Sequence, residues 1–122
     1  MTKHPPADDS EATMAALAYM PGLAPLIYLS LETGKPQYFI RYHIAHALLL
    51  NTISFVALVI VACLGFIPEA PAWIYLVMGV GISLVLIVST VVHTLAAVQA
   101  YRSRLIVLPG ITQLYYRFFA KG

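Results

Sequence analysis

Charge is what this chain has least of. Only 10% of its 122 residues are Asp, Glu, Lys or Arg, against about 25% in soluble domains. Hydrophobic residues make up 61%. So few charges cannot cover the surface of a water-soluble domain of this size, and so short a chain buries little core by itself. A net charge of +2 is too weak, and too spread out, to suggest a nucleic-acid-binding surface. Cysteine is nearly absent as well. The single Cys63 rules out an internal disulfide and a thiolate metal site. It sits in an apolar run and reads as a small buried hydrophobe. Acids are scarce too. Asp8, Asp9 and Glu11 lie in the polar N-terminus, and Glu32 and Glu69 are expected on opposite membrane faces. No paired-carboxylate site follows, nor any His-Glu-x-x-His pattern. Gly79-Val80-Gly81 lacks the third glycine of a phosphate loop. No serine has a base and an orienting group in evident reach. The reading is therefore non-enzymatic.

What the chain does have is long apolar segments. Residues 1–11 are polar and are expected to be mobile, with Asp9 or Ser10 capping a helix that begins near Glu11. Residues 12–31 are uncharged and about long enough to span a bilayer. Pro21-Gly22 and Pro25 interrupt the hydrogen-bond ladder there, so this segment reads as a broken helix, spanning or re-entrant. It runs into prolines rather than a cleavage motif and is expected to be retained. Residues 32–43 form a connector with Thr33-Gly34-Lys35-Pro36 turn chemistry. Its aromatic and basic residues, with Arg41 among them, resemble a headgroup-level belt.

Residues 44–67 and 72–100 are the two transmembrane helices. The turn Pro68-Glu69-Ala70-Pro71 joins them as an antiparallel hairpin, and Trp73 marks the interface there. After Arg102 and Arg104, the segment 105–119 is too short for a span and contains Pro109-Gly110. It reads as an interfacial amphipathic helix from about Ile111 to Phe119, with Arg117 and Lys121 outward. The positive-inside rule sets the connector (Lys35, Arg41) and the tail (Arg102, Arg104, Arg117, Lys121) in the cytoplasm and Glu69 outside. The fold class is thus an all-α membrane protein: a hairpin, a proline-broken N-terminal helix and an interfacial C-terminal helix. The side of the N-terminus stays open.

The run Arg41-Tyr42-His43-Ile44-Ala45-His46-Ala47-Leu48-Leu49-Leu50-Asn51 resembles the Arg-Phe-(Asn/His)-x-x-Gln-Ala-Leu-Leu-Leu-(Asp/Asn) signature of the Tic-twenty-like membrane proteins. Those include a component of the chloroplast inner-envelope import translocon and short bacterial relatives. Ala16 to Leu29, and Tyr101-Arg102 followed by Leu108-Pro109, are similar to the family's first apolar segment and to its ending. The resemblance covers roughly residues 15–115. His46 stands where the family has Gln, and the chain is shorter than the plastid members. The resemblance implies a helical membrane fold in a bacterial inner membrane or a derived photosynthetic membrane, and a protein-translocation role as one option.

Two sets of residues are candidates for function. His46 and His93 are nearly symmetric about the Pro68–Ala70 turn, which would put them at one depth in an antiparallel pair. Two neutral imidazoles could ligate a haem iron, and one a chlorophyll magnesium. The blander reading is that each histidine is a satisfied polar group, with His43 and His46 near the interface and His93 bonded to Ser89, Thr90 or a carbonyl. The second set is a seam of small and polar residues at helical spacing. It includes His43, Ala47, Asn51, Ser54, Ala62 and Gly65 on the first span, and Gly79, Ser83, Thr90, His93, Ala97 and Ala100 on the second. Lipid gives helices no hydrophobic reason to associate, so close approach and polar bonds must hold them. Asn51 is expected to bond Ser89 or Thr90. The seam holds the hairpin together or docks it on a partner. The leading expectation is an accessory or assembly subunit of a larger membrane complex, or a self-associating one, with the lipid bilayer as its other partner. The rival is a tetrapyrrole-binding subunit.

Overall fold

The computed structural model describes residues 9–30, 38–105 and 107–118. Every regular element among them is helical: α1 (Asp9–Leu17), α2 (Leu23–Ser30), α3 (Tyr38–Ala62), a 3-10 turn (Cys63–Phe66), α4 (Ala72–Tyr101) and α5 (Ile111–Phe118). Lys35, Phe119 and Lys121, with the Thr33–Pro36 turn, lie outside the described residues.

The N-terminal apolar segment is broken at Pro21-Gly22, whereas Pro25, also expected to interrupt it, lies in the first turn of α2, where a missing N–H costs nothing. Leu23 N–H donates to the Met20 carbonyl at 3.2 Å. Pro21 and Gly22 fill the central positions, and Gly22 has φ +81°, which a turn of this kind requires of its third residue. The break leaves helices of nine and eight residues. α1 already includes Asp9 to Glu11. The boundary of the polar terminus therefore moves, because Glu11 is buried. Its Oε1 accepts the Ile40 N–H at 3.3 Å, one of the free donors in the first turn of α3. A carboxylate there also meets the positive end of the helix dipole.

α3 starts at Tyr38, six residues before the expected span, and so absorbs half of the connector. Phe39, Ile40, Tyr42 and His43 are buried there, and burial rather than hydropathy holds these turns. With the 3-10 turn, Tyr38–Phe66 is 29 residues long at mean hydropathy 2.6, and Ala72–Tyr101 is 30 residues at 2.4. At 1.5 Å per residue each reaches about 45 Å, well over the roughly 30 Å of a hydrocarbon core. Both are long and apolar enough to cross a membrane.

The two long helices pack with falling index against rising index. Asn51 meets His93, Ser54 meets Ser89, Val61 meets Gly81 and Gly65 meets Met78. α1 packs on α3 and α4, α2 on α3, and α5 on α3. These shorter elements crowd one end of the α3–α4 pair. Ala12, Ala15 and Ala18 are buried in one cluster with Ala47, Ala96 and Ala100. Alanines at this spacing let backbones approach closely.

α4 ends in a six-to-one turn. Arg104 N–H donates to Gln99 O at 2.9 Å and Ser103 N–H to Ala100 O at 3.0 Å, with Ser103 at φ +59°. Glycine is the usual occupant of that left-handed position. The turn directs the chain back toward α3.

Candidate functional site

The crowded end is organised by two histidines. His43 and His46 are both fully buried, at 0% exposure, although the sequence reads as placing them at an interface where histidine is easily solvated. The hydrogen bonds explain how burial is tolerated. The Arg104 carbonyl can only accept, so His43 Nε2–H donates to it at 2.9 Å. Nδ1 then carries the lone pair and accepts the Tyr19 O–H at 2.7 Å. One neutral ring ties the α1–α2 turn and the segment after α4 to α3. Phe39 packs edge-on against it, ring centroids 4.6 Å apart.

His46 works in the same way toward the C-terminal helix. Its Nδ1–H donates to the Tyr42 carbonyl at 2.9 Å. Its Nε2 accepts the Thr112 O–H at 2.9 Å. Thr112 Oγ1 in turn accepts the Leu108 N–H at 2.8 Å, so the threonine ties the segment before α5 to the helix and latches α5 to α3 at once. Tyr42 stacks on His46 with centroids 4.1 Å apart, and Tyr115 closes the cluster 5.1 Å from His46. Burial, followed by the neighbouring Tyr116 phenol, holds the Tyr115 hydroxyl above its ordinary pKa.

A second polar group lies further along α3 and α4. His93 Nδ1–H donates to the Ser89 carbonyl at 2.7 Å. Its Nε2 faces Asn51 Oδ1 at 2.8 Å. Two acceptors match an imidazolium. A neutral ring needs the Asn51 amide turned so that its NH2 donates. The Ser54 and Ser89 hydroxyls pair at 2.9 Å. Asn51, His93, Ser89 and Ser54 thus form one ladder across the two helices.

Several expectations change. Asn51 does bond across the helices, but to His93 rather than to Ser89 or Thr90. His93 stands opposite Asn51, five positions along α3 from His46, so the two histidines do not share one level. The reason is the connection: α3 tightens into a 3-10 turn through Phe66 before Pro71 opens α4. This moves the centre of the pair toward α4. Both His46 ring nitrogens are already engaged. A tetrapyrrole held by His46 and His93 would require Thr112 and Asn51 to give way.

Gly79 and Ser83 are exposed and lie off the seam. A Cβ at Gly79 would meet nothing within 4 Å, and Ser83 Oγ donates back to the Gly79 carbonyl. The close approach occurs at Gly81 instead, where a Cβ would stand 2.9 Å from Val61 Cγ1. Two positions along a helix reverse the face. Thr90 and Ala62 are exposed. Cys63, read as buried, is exposed as well.

The interface residues Arg41, Trp73, Arg102, Arg104 and Arg117 are all exposed. Arg117 lies 5.7 Å from the Phe118 ring centroid. Among the described residues of the segment 105–119, the helix runs over Ile111–Phe118.

Sequence reasoning missed Glu11, Tyr19, Thr112 and the Arg104 carbonyl. A signal for Thr112 existed: it follows Pro109-Gly110 at the start of an amphipathic run. The Glu11 contact is 29 positions distant and leaves no local trace. No family model, curated protein or solved structure matches this chain.

Proposed function

We propose that the chain is a non-catalytic integral membrane protein, Tic-twenty-like in architecture, that crosses the bilayer as an α3–α4 hairpin and serves as an accessory or assembly subunit of a larger membrane complex. One observation carries this reading. In the most apolar windows of the two long helices, 11% and 0% of residues are buried. Apolar surface so consistently outward suits acyl chains or a partner's helices, and water poorly. Asn51 with His93 and Ser54 with Ser89 bond across these helices, which supports a structural seam. The crowded end, with Arg41, Arg102 and Arg104, suits the cytoplasmic headgroup layer, and the Glu69 turn the opposite face. A bacterial inner membrane or a derived photosynthetic membrane fits that polarity.

Alkaline extraction and thiol labelling test the insertion. In a Cys63→Ala background, Glu69→Cys is expected to react with an impermeant maleimide in intact cells. Arg102→Cys is expected to react only after permeabilisation. Release by alkali removes the membrane reading. Co-migration with a large assembly on a native gel, in mild detergent, supports the accessory role; a solitary monomer opposes it. A Soret band in the purified protein, lost in His46→Ala or His93→Ala, would favour the tetrapyrrole rival. A precursor cross-linking to α1 or α2 would favour translocation.

A further inference from the structure

The α1–α2 turn does not lie flat against the long helices. Between Tyr19–Pro25 on one side and the α3–α4 pair on the other is a cavity of about 630 Å³. That volume is typical of small-molecule sites. Its walls are largely apolar, with Leu48, Phe55, Leu58 and Leu86 among them. One polar patch interrupts them: Asn51, His93, Thr90 and Thr94 all line the space. An apolar cavity with a few convergent polar groups is the usual form of a ligand site.

The polar patch has unused donors. His93 takes one end of the Asn51 amide. Whichever end that is, at least one Asn51 N–H is left over, and among the described residues it finds no partner. The Thr90 and Thr94 hydroxyls also have no partner among the described residues. Both threonines are exposed into open space rather than packed. Donors left unpaired on helices of this hydropathy are costly where water is excluded. A ligand with an accepting oxygen at one end and an apolar body would satisfy them and fill the walls.

We propose that this cavity binds a lipid-soluble carbonyl compound of the isoprenoid-quinone class. The ring carbonyl accepts from the Thr90 and Thr94 hydroxyls beside Asn51, and the apolar body lies along Leu58 and Phe55. The proposal rests on the membrane reading, because such molecules reach the site through the bilayer. A lipid ester offers the same carbonyl chemistry, so the test must separate the two sources.

The test uses the full chain in dodecyl maltoside, loaded with decylubiquinone and passed over a desalting column. Saturable retention at about one molecule per chain is expected from a single cavity. Thr90→Val and Thr94→Val, near-isosteric and without a donor, are each expected to weaken retention about three- to tenfold, the worth of one hydrogen bond. Thr94→Phe fills the space and is expected to abolish retention. Leu84→Phe, on the outer surface, is expected to leave it unchanged. Each variant is checked for an unaltered thermal midpoint, and the valine variants decide should the phenylalanine variant unfold. Absence of saturable retention by the folded wild type overturns the proposal. Displacement by didecanoylglycerol at equal concentration overturns the quinone assignment. Alkaline extraction is scored separately, so a failed cavity and a failed membrane reading are distinguishable.

Discussion

The two ends of the α3–α4 pair are built on different principles. At the end holding His43 and His46, five helices meet and alanines, aromatics and two histidines are fully buried. At the end holding the Glu69 turn, only α3, the 3-10 turn and α4 touch among the described residues, and Phe66, Trp73, Leu76 and Ile60 stand exposed. The first end resembles a small folded domain with polar keystones. The second is a bare helix pair with close approaches at Gly81 to Val61 and Gly65 to Met78, the polar ladder of Ser54 and Asn51 lying further along. Hydropathy alone does not separate them, since both long helices are strongly apolar. The difference comes from what packs on them.

The sharpest way to break that contrast is at its keystone. His43→Ala removes two hydrogen bonds and a packed ring, leaving Tyr19 and Arg104 O unpaired. A loss of about 3–5 kcal/mol is expected, in line with large-to-small core changes. Ile87→Ala, on the outward face, is expected to lie within about 0.5 kcal/mol of wild type. Denaturation in mixed detergent micelles measures both, and equal losses would dissolve the distinction.

Next in size is the bare end's close approach. Gly81→Val drives a branched side chain into Val61 and is expected to cost about 1–3 kcal/mol. Gly79→Ala meets nothing and is expected to gain up to about 1 kcal/mol from helix propensity. A reversed order would mean that the seam follows the other face.

A smaller effect sharpens the crowded end. Ser103 holds a left-handed conformation at φ +59°, which costs an L-residue about 1–2 kcal/mol. Ser103→Gly is expected to raise stability by about 1 kcal/mol, read as a shifted midpoint. No gain would show that the serine side chain compensates for its backbone.

Smallest is the ladder. Ser54→Ala leaves Ser89 with its His93 contact and is expected to cost about 0.6 kcal/mol, the mean for interhelical bonds in lipid. A loss as large as that of His43→Ala would make the bare end as polar-dependent as the crowded one.

Much of this fold is legible along the chain. Length and hydropathy mark the two long helices, because the apolar run that defines each is local to its own segment. Pro21-Gly22 marks the broken helix, since the turn is written in its own two residues. Asn51 and Ser54 stand out because amide and hydroxyl groups on an apolar helix need partners. Their partners were less legible. Pairing depends on where the connection centres the two helices, and the 3-10 turn shifts that centre by a few residues. A glycine two positions along faces the other way, so Gly79 and Gly81 exchange roles.

The sequence by itself determined the all-helical class, the approximate positions of the two long apolar helices, the break at Pro21-Gly22 and the distribution of charge along the chain. Each of these is set by neighbours within a few turns. Only the tertiary structure decided which histidines meet which partners. Glu11 reaches Ile40, Tyr19 and Arg104 reach His43, and Thr112 reaches His46. These contacts join residues 24 to 66 positions apart. Side-chain chemistry shows that such groups need partners once buried, but only the folded path of the chain brings the partners within 3.5 Å.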